Sequence, residues 1–197
     1  MGKIICLMGK SAVGKDSVFK ELLEDRALGL SVIVSYTTRP IRDGECNGVE
    51  YFFTDEAGYE RYKAEGKIIE ERLYHTMCGP WRYFTVDDGR IKAQENYLVI
   101  GTLESYQKFR KYFGEEKVLP ILLKVDDGIR LQRALDRERK QEQPKYEELC
   151  RRFLADSEDF TMEKIKAAGI VRQFINEDFK HCLEEIQEYI RGQMNGN

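Results

Sequence analysis

The chain is expected to fold as α/β with a doubly wound parallel sheet, and three observations predict this. The apolar run Ile4–Met8 feeds a glycine-bearing loop and then a helix-like segment. Further apolar runs at residues 31–34, 96–102, 118–125 and 169–175 alternate with charged, helix-like stretches, the order produced when crossover helices cover both faces of parallel strands. The 197 residues contain no Pro/Gly/Ser-rich linker, so one globular unit with inserted pieces is predicted.

Composition narrows the function classes. Hydrophobic residues make up 42% and charged residues 34% of the chain, and the net charge is −3, so no general nucleic-acid or membrane surface is expected. Any anion must be bound by local arginines. The five cysteines are spread out with no C-x-x-C pair, which argues against a disulfide framework and a zinc site and fits a reducing cytoplasm. The first strand begins too early for a signal peptide, and no apolar run approaches the roughly 18 residues of a membrane span. A cytoplasmic monomer or homodimer is expected.

The first strand runs into Gly9-Lys10-Ser11-Ala12-Val13-Gly14-Lys15-Asp16-Ser17. Glycines let the backbone curl so that successive N–H groups and the next helix N-terminus face phosphate, while Lys15 reaches the β- and γ-phosphate oxygens. This predicts an ATP or GTP cradle. Asp16 stands where the Mg²⁺-binding hydroxyl of the motif usually sits, and Ser17 is expected to supply that hydroxyl. A helix over residues 16–28 follows, then a buried strand over 31–34.

That strand delivers Ser35-Tyr36-Thr37-Thr38-Arg39-Pro40-Ile41-Arg42, in which two arginines flank a proline-stiffened turn. Guanidinium groups hold phosphate through paired donors, so a second anion site separate from the loop is predicted. Residues 35–53 follow the pattern [ST]-x-T-T-R-x-x-R-x-G-E-x-x-G-x-x-Y-x-F, with a helix-like stretch over 55–65, a strand over 68–70 and Tyr83-Phe84-Thr85 beyond.

In these motifs the chain resembles guanylate kinases, and the similarity covers most of its length. The resemblance implies a P-loop NTPase fold with a doubly wound parallel sheet, an inserted mixed α/β monophosphate-binding subdomain and a helical lid. The core would comprise residues 1–34, 91–137 and 153–197, the subdomain 35–90 and the lid 138–152. It implies that Arg39, Arg42, Tyr51 and Tyr83 hold the acceptor phosphate while Ser35, Glu70 and Thr85 face guanine. A carboxylate can accept from guanine N1–H and N2–H₂, and hydroxyls can donate to O6. Glu70 and Glu71 are adjacent, and strand alternation sends one inward; Glu70 is preferred. The loop over 74–82 departs from the family's short turn, and His75 and Trp81 are assigned to local packing.

Guanylate kinases carry aspartates at the end of the strand that here reads Asn96-Tyr97-Leu98-Val99-Ile100-Gly101-Thr102, so this chain lacks an acid the family directs at guanine and the metal-water shell. After the strand over 118–125, a helix carries Arg130, Arg133, Arg137 and Arg139 at spacings that crowd one side. By resemblance it leads to a mobile lid, with Arg137 preferred over Arg139 and Arg152 as the inward arginine of the next helix. The residues 176–178 cap the last helix through Ile190, with Asn176 near the adenine.

The reaction implied is ATP-dependent phosphorylation of a nucleoside monophosphate, GMP first, with Lys15, Arg39, Arg137 and Arg152 stabilising the transferring phosphoryl and Mg²⁺ held at Ser17. ATP contacts are expected from Gly9, Ser11, Ala12, Val13, Gly14, Lys15, Asp16, Ser17 and Asn176. The alternatives are a kinase for another phosphorylated acceptor such as a ribose phosphate, since the Gly-Lys-Asp-Ser loop resembles that of ribose bisphosphate kinases, and a non-catalytic guanylate-kinase-like binding module. The intact 39–51 motif opposes the first, and the retained Gly14-Lys15 opposes the second. A regulatory GTPase would need an N-K-x-D element, which is absent.

Overall fold

A computed structural model describes residues 2–76 and 79–196. In chain order the elements are β1 (Ile4–Met8), α1 (Lys15–Glu24), β2 (Leu30–Val32), β3 (Tyr36–Thr37), β4 (Phe52–Phe53), α2 (Glu56–Ala64), β5 (Ile68–Thr76) and β6 (Gly79–Val86). There follow β7 (Asn96–Ile100), α3 (Leu103–Phe113), β8 (Val118–Lys124), α4 (Asp127–Arg139), α5 (Tyr146–Asp159), α6 (Met162–Ala167), β9 (Gln173–Ile175) and α7 (Phe179–Asn195).

The main sheet has the order β2-β7-β1-β8-β9, and every pairing in it is parallel. All five residues of β1 are buried, which is why the strand reads as an unbroken apolar run. Successive side chains point to opposite faces. Ile5 and Leu7 pack with Val18 and Leu22 of α1 and Cys182, Ile186 and Ile190 of α7, while Ile4, Cys6 and Met8 pack with Tyr106 and Phe109 of α3. Helices therefore cover both faces, as a doubly wound sheet requires. The fold is that of a P-loop NTPase.

A second sheet, β4-β3-β6-β5, is mixed: β3 and β4 run parallel, and β3–β6 and β5–β6 antiparallel. Its small core is Tyr36, Tyr59, Phe84 and Val86. In β5 the register shifts between Ile68 and Glu70, so Ile69 is an extra residue. Ile69 packs into the main core, and Lys108 of α3 donates to the Glu71 carbonyl at 2.9 Å, which ties the two sheets together.

Several boundaries differ from expectation. The strand expected to be buried over 31–34 is the sheet edge, β2, where Val32 is 38% exposed and only Ile33 beyond it is buried. Helix α1 stops at Glu24, and Leu28 reaches the core through a turn in which its N–H donates to the Asp25 carbonyl. The strand over 68–70 continues to Thr76, and residues 74–76 pair antiparallel with 79–81 of β6; Met77 and Cys78 lie outside the described residues. Strand β9 is limited to the three residues that bond to β8, leaving Val171 almost fully exposed. Asp178 caps α7 by accepting from the His181 N–H at 3.0 Å.

Candidate active site

The loop between β1 and α1 is shaped by backbone conformation. Gly9 (φ 147°) and Gly14 (φ 92°) lie in the left-handed region, and a Cβ on either would come within 2.7 Å of the Leu123 carbonyl or 2.5 Å of Asn176 Nδ2. Ala12 also has positive φ, at 62°, a conformation that costs a residue with a side chain about 1–2 kcal/mol. Gly14 caps α1 with no side chain, so the first N–H groups of the helix are left for a bound anion. Lys15 Nζ donates to the Gly9 and Lys10 carbonyls at 2.7 and 2.9 Å, arching over the loop. Burial pulls its ammonium below the usual lysine range, and the carboxylates of Asp156 and Asp16 push it back up.

Asp156 of α5 reaches this loop from across the fold. Its Oδ2 accepts from the Ser11 N–H at 2.8 Å and from Arg130 Nη1 at 3.0 Å. A carboxylate thus sits on one of the amides that a nucleotide phosphate would use. Arg130 is 1% exposed, pairs with Asp127 at 3.0 Å and stacks on the Phe153 ring at 4.1 Å. Asn176 Nδ2 donates to the Val13 carbonyl at 2.8 Å, clamping the loop from β9.

Of the expected lid arginines, Arg137 is exposed on α4, and its charge is the smallest of the influences that lower the affinity of Lys15 for its proton. Arg152 is not inward here: its side chain is 59% exposed, and its Nε donates to Glu148 at 2.8 Å, together with Arg151. Asp156, one turn on along the same side of α5, reaches the loop, while the Arg152 side chain turns back to Glu148. Arg130 is the buried arginine that sequence reading passed over. Its signal was the stripe Arg130, Arg133, Arg137 at i, i+3, i+7. Ser17 and Asp16 are exposed on the first turn of α1, where oxygen donors fit a hard cation that keeps waters and binds through phosphates.

The acceptor residues lie on the second sheet. Arg39 is 3% exposed, and its Nη1 and Nη2 donate to both oxygens of Glu45 at 3.0 and 2.8 Å, with its guanidinium 5.5 Å from the rings of Tyr51 and Phe53. That pair holds the Glu45 carboxyl below the usual range, and Glu45 also accepts from the Arg42 N–H at 2.8 Å. Tyr51 and Tyr83 meet edge to face at 5.4 Å, and Arg42 is exposed at the rim of the turn. At the other end, Thr85 Oγ1 donates to Glu70 Oε1 at 2.9 Å and lies 3.3 Å from Ser35 Oγ. Ser35, Glu70 and Thr85 are therefore brought together. Glu71 faces the opposite side, bonded to Tyr59. Arg72, unforeseen in the sequence, donates from Nε and Nη2 to both Glu70 oxygens at 3.2 and 3.3 Å.

The strand end that lacks the family acid is built for packing. Val99 is buried, and a Cβ on Gly101 would meet Cys6 Sγ at 2.9 Å and Ser105 Oγ at 2.6 Å. Thr102 forms a capping box with Ser105, accepting from its N–H while Ser105 Oγ accepts from the Thr102 N–H at 2.7 Å. Burial, and then Glu70, raise the pKa of the Cys6 thiol on the adjacent strand β1.

The family model for guanylate kinase matches residues 1–79. A guanylate kinase from Nostoc sp. is 30% identical over 195 residues, covering 97% of this chain and 90% of that protein. The chain belongs to the guanylate kinase family. A guanylate kinase from Mesoplasma florum is 45% identical over 124 residues, a match that spans 62% of this chain and 40% of that protein. The match to the Thermobifida fusca guanylate kinase spans 34% of that protein's length. The crystal structure of the guanylate kinase from Anaplasma phagocytophilum superposes with a TM-score of 0.64 over 98% of this chain and 86% of that one at 21% identity, a likeness of fold.

Proposed function

We propose that this chain transfers the γ-phosphoryl group of ATP to GMP. The observation that carries the reading is the Ser35–Thr85–Glu70 cluster beside the Arg39–Tyr51–Tyr83 anion pocket, on a sheet tied through α3 to the domain that carries the phosphate loop. An acceptor phosphate oxygen forms the new bond to the γ-phosphorus as the bond to the bridging oxygen breaks, and ADP leaves. No strong base is required, because the acceptor is already an anion. Lys15 and Arg137 offset the charge developing on the transferred group, and Arg39 and Arg42 hold the acceptor. Mg²⁺, when bound, would neutralise charge on the ATP phosphates, with the Ser17 hydroxyl as its protein ligand. Closure of the subdomain would exclude water.

ADP release measured with a panel of nucleoside monophosphates and sugar phosphates tests this. GMP is expected to have the highest kcat/KM among the common nucleotides, AMP included. A higher value for AMP or a sugar phosphate would replace the guanine reading.

A further inference from the structure

Glu70 and Arg72 are two residues apart on β5 and so share one face, opposite Thr85 and Tyr83 of β6. Their side chains are 1% and 19% exposed, deep enough that each charge needs the other. The pairing changes what Glu70 can offer. A carboxylate has about four lone-pair positions. Oε1 accepts from both Thr85 and Arg72 Nη2, and Oε2 accepts from Arg72 Nε, so three are engaged and the open one is on Oε2. A two-donor guanine edge, N1–H and N2–H₂, asks for two acceptors. At the strand end Gly101 has no side chain and crowds Cys6 and Ser105, Val99 is apolar, and the Thr102 hydroxyl is engaged by the Ser105 N–H, so no second carboxylate stands there.

What Glu70 does present is one open acceptor position next to guanidinium N–H donors that it does not engage. We propose that Arg72 is a base-reading residue, and that the Glu70–Arg72 pair recognises the adjacent N1–H and O6 groups of a 6-oxopurine and leaves the 2-amino group unread. This deepens, and rests on, the nucleoside monophosphate kinase reading. Guanine and hypoxanthine share that edge. Adenine inverts it, with an acceptor at N1 and a donor at N6, so both halves of the pair repel it.

The test is kcat/KM for GMP, IMP and AMP at saturating ATP in wild type, Arg72→Met and Arg72→Lys, with calorimetric titration of GMP and IMP into wild type. In wild type, IMP is expected within about tenfold of GMP and AMP about 100-fold or more below both, the range of one charge-assisted contact. Arg72→Met frees Glu70 and should raise the GMP-over-IMP ratio about tenfold while lowering the IMP-over-AMP ratio by a similar factor. Arg72→Lys keeps the charge without the paired donors and should recover little of the IMP-over-AMP ratio. A wild-type preference for GMP over IMP of more than about 100-fold overturns the proposal, as do unchanged ratios in a folded Arg72→Met. If circular dichroism shows that neither variant folds, the wild-type GMP-to-IMP ratio decides alone. Failure of the underlying reading looks different: neither GMP nor IMP binds or turns over.

Discussion

In the phosphate loop the anion receptors are backbone N–H groups fixed between β1 and α1, whereas in the acceptor pocket they are side chains on a sheet whose β3 and β4 are two residues long. The loop rests on the fully buried central strand, and the pocket rests on a core of four buried aromatic and aliphatic residues. Backbone donors cannot be exchanged by substitution, and side chains can. The pocket pairs Arg72 with Glu70, and the neighbouring strand carries Val99 and Gly101, neither of which offers a side-chain acceptor. Both sites nevertheless hold one of the chain's own carboxylates, Asp156 on the Ser11 N–H and Glu45 on Arg39. At both sites an internal carboxylate already occupies a donor facing the candidate phosphate position.

The strongest way to break this comparison is at Lys15, the cationic side chain that arches over the backbone-built site. Lys15→Ala should lower kcat by about 10² or more, as loss of a preorganised charge contact does. A kcat within a few-fold of wild type would mean that the loop binds without catalysing. Next comes the side-chain-built site: Arg39→Met should weaken acceptor binding about 10- to 150-fold and leave ATP affinity within about twofold. Calorimetry showing the loss on ATP would merge the two sites into one.

A smaller effect is expected where an internal carboxylate competes with nucleotide. Asp156→Asn should tighten ATP binding by about fivefold, because a like charge leaves the phosphate position. The same change should lower the melting temperature, because buried Arg130 keeps only Asp127 as a charged partner. Unchanged ATP affinity would show that Asp156 swings clear at no cost. The smallest concerns Glu148, whose carboxyl is held down to about 2, chiefly by Arg151 and then by burial opposing it and Arg152 assisting. A depressed carboxyl stabilises above its unfolded pKa, so this clamp on α5 is complete above about pH 4.5 and is lost as pH falls toward about 2. Glu148→Gln should flatten the acid limb of a denaturation curve slightly; an unaltered limb would show that the exposed pair contributes nothing.

What was legible in the sequence was local. The loop, the strands over 96–100 and 118–124, and the cluster of Ser35, Thr85 and Glu70 follow from apolar runs and short motifs. What was not legible depends on residues meeting from distant positions. Asp156 and Ser11 are 145 residues apart, and nothing near either announces the contact. Arg72 reads as an ordinary strand residue until Glu70 is seen to be buried beside it. Arg152 was taken inward because the motif gives its place on the helix and not the direction of its side chain, which here turns to Glu148 while Asp156, on the same side of α5, reaches the loop. The edge strands β2 and β9 were overextended because an apolar run does not reveal where hydrogen-bond partners stop.

The extra residue at Ile69 seats the start of β5 in the main core. Glu70 is the next residue along, and Arg72 lies three residues, or about 10 Å, from that anchor. Between them, Lys108 of α3 holds the Glu71 carbonyl. The proposed base-reading pair is thereby registered to the same core that supports the phosphate loop, and not only to its own small sheet.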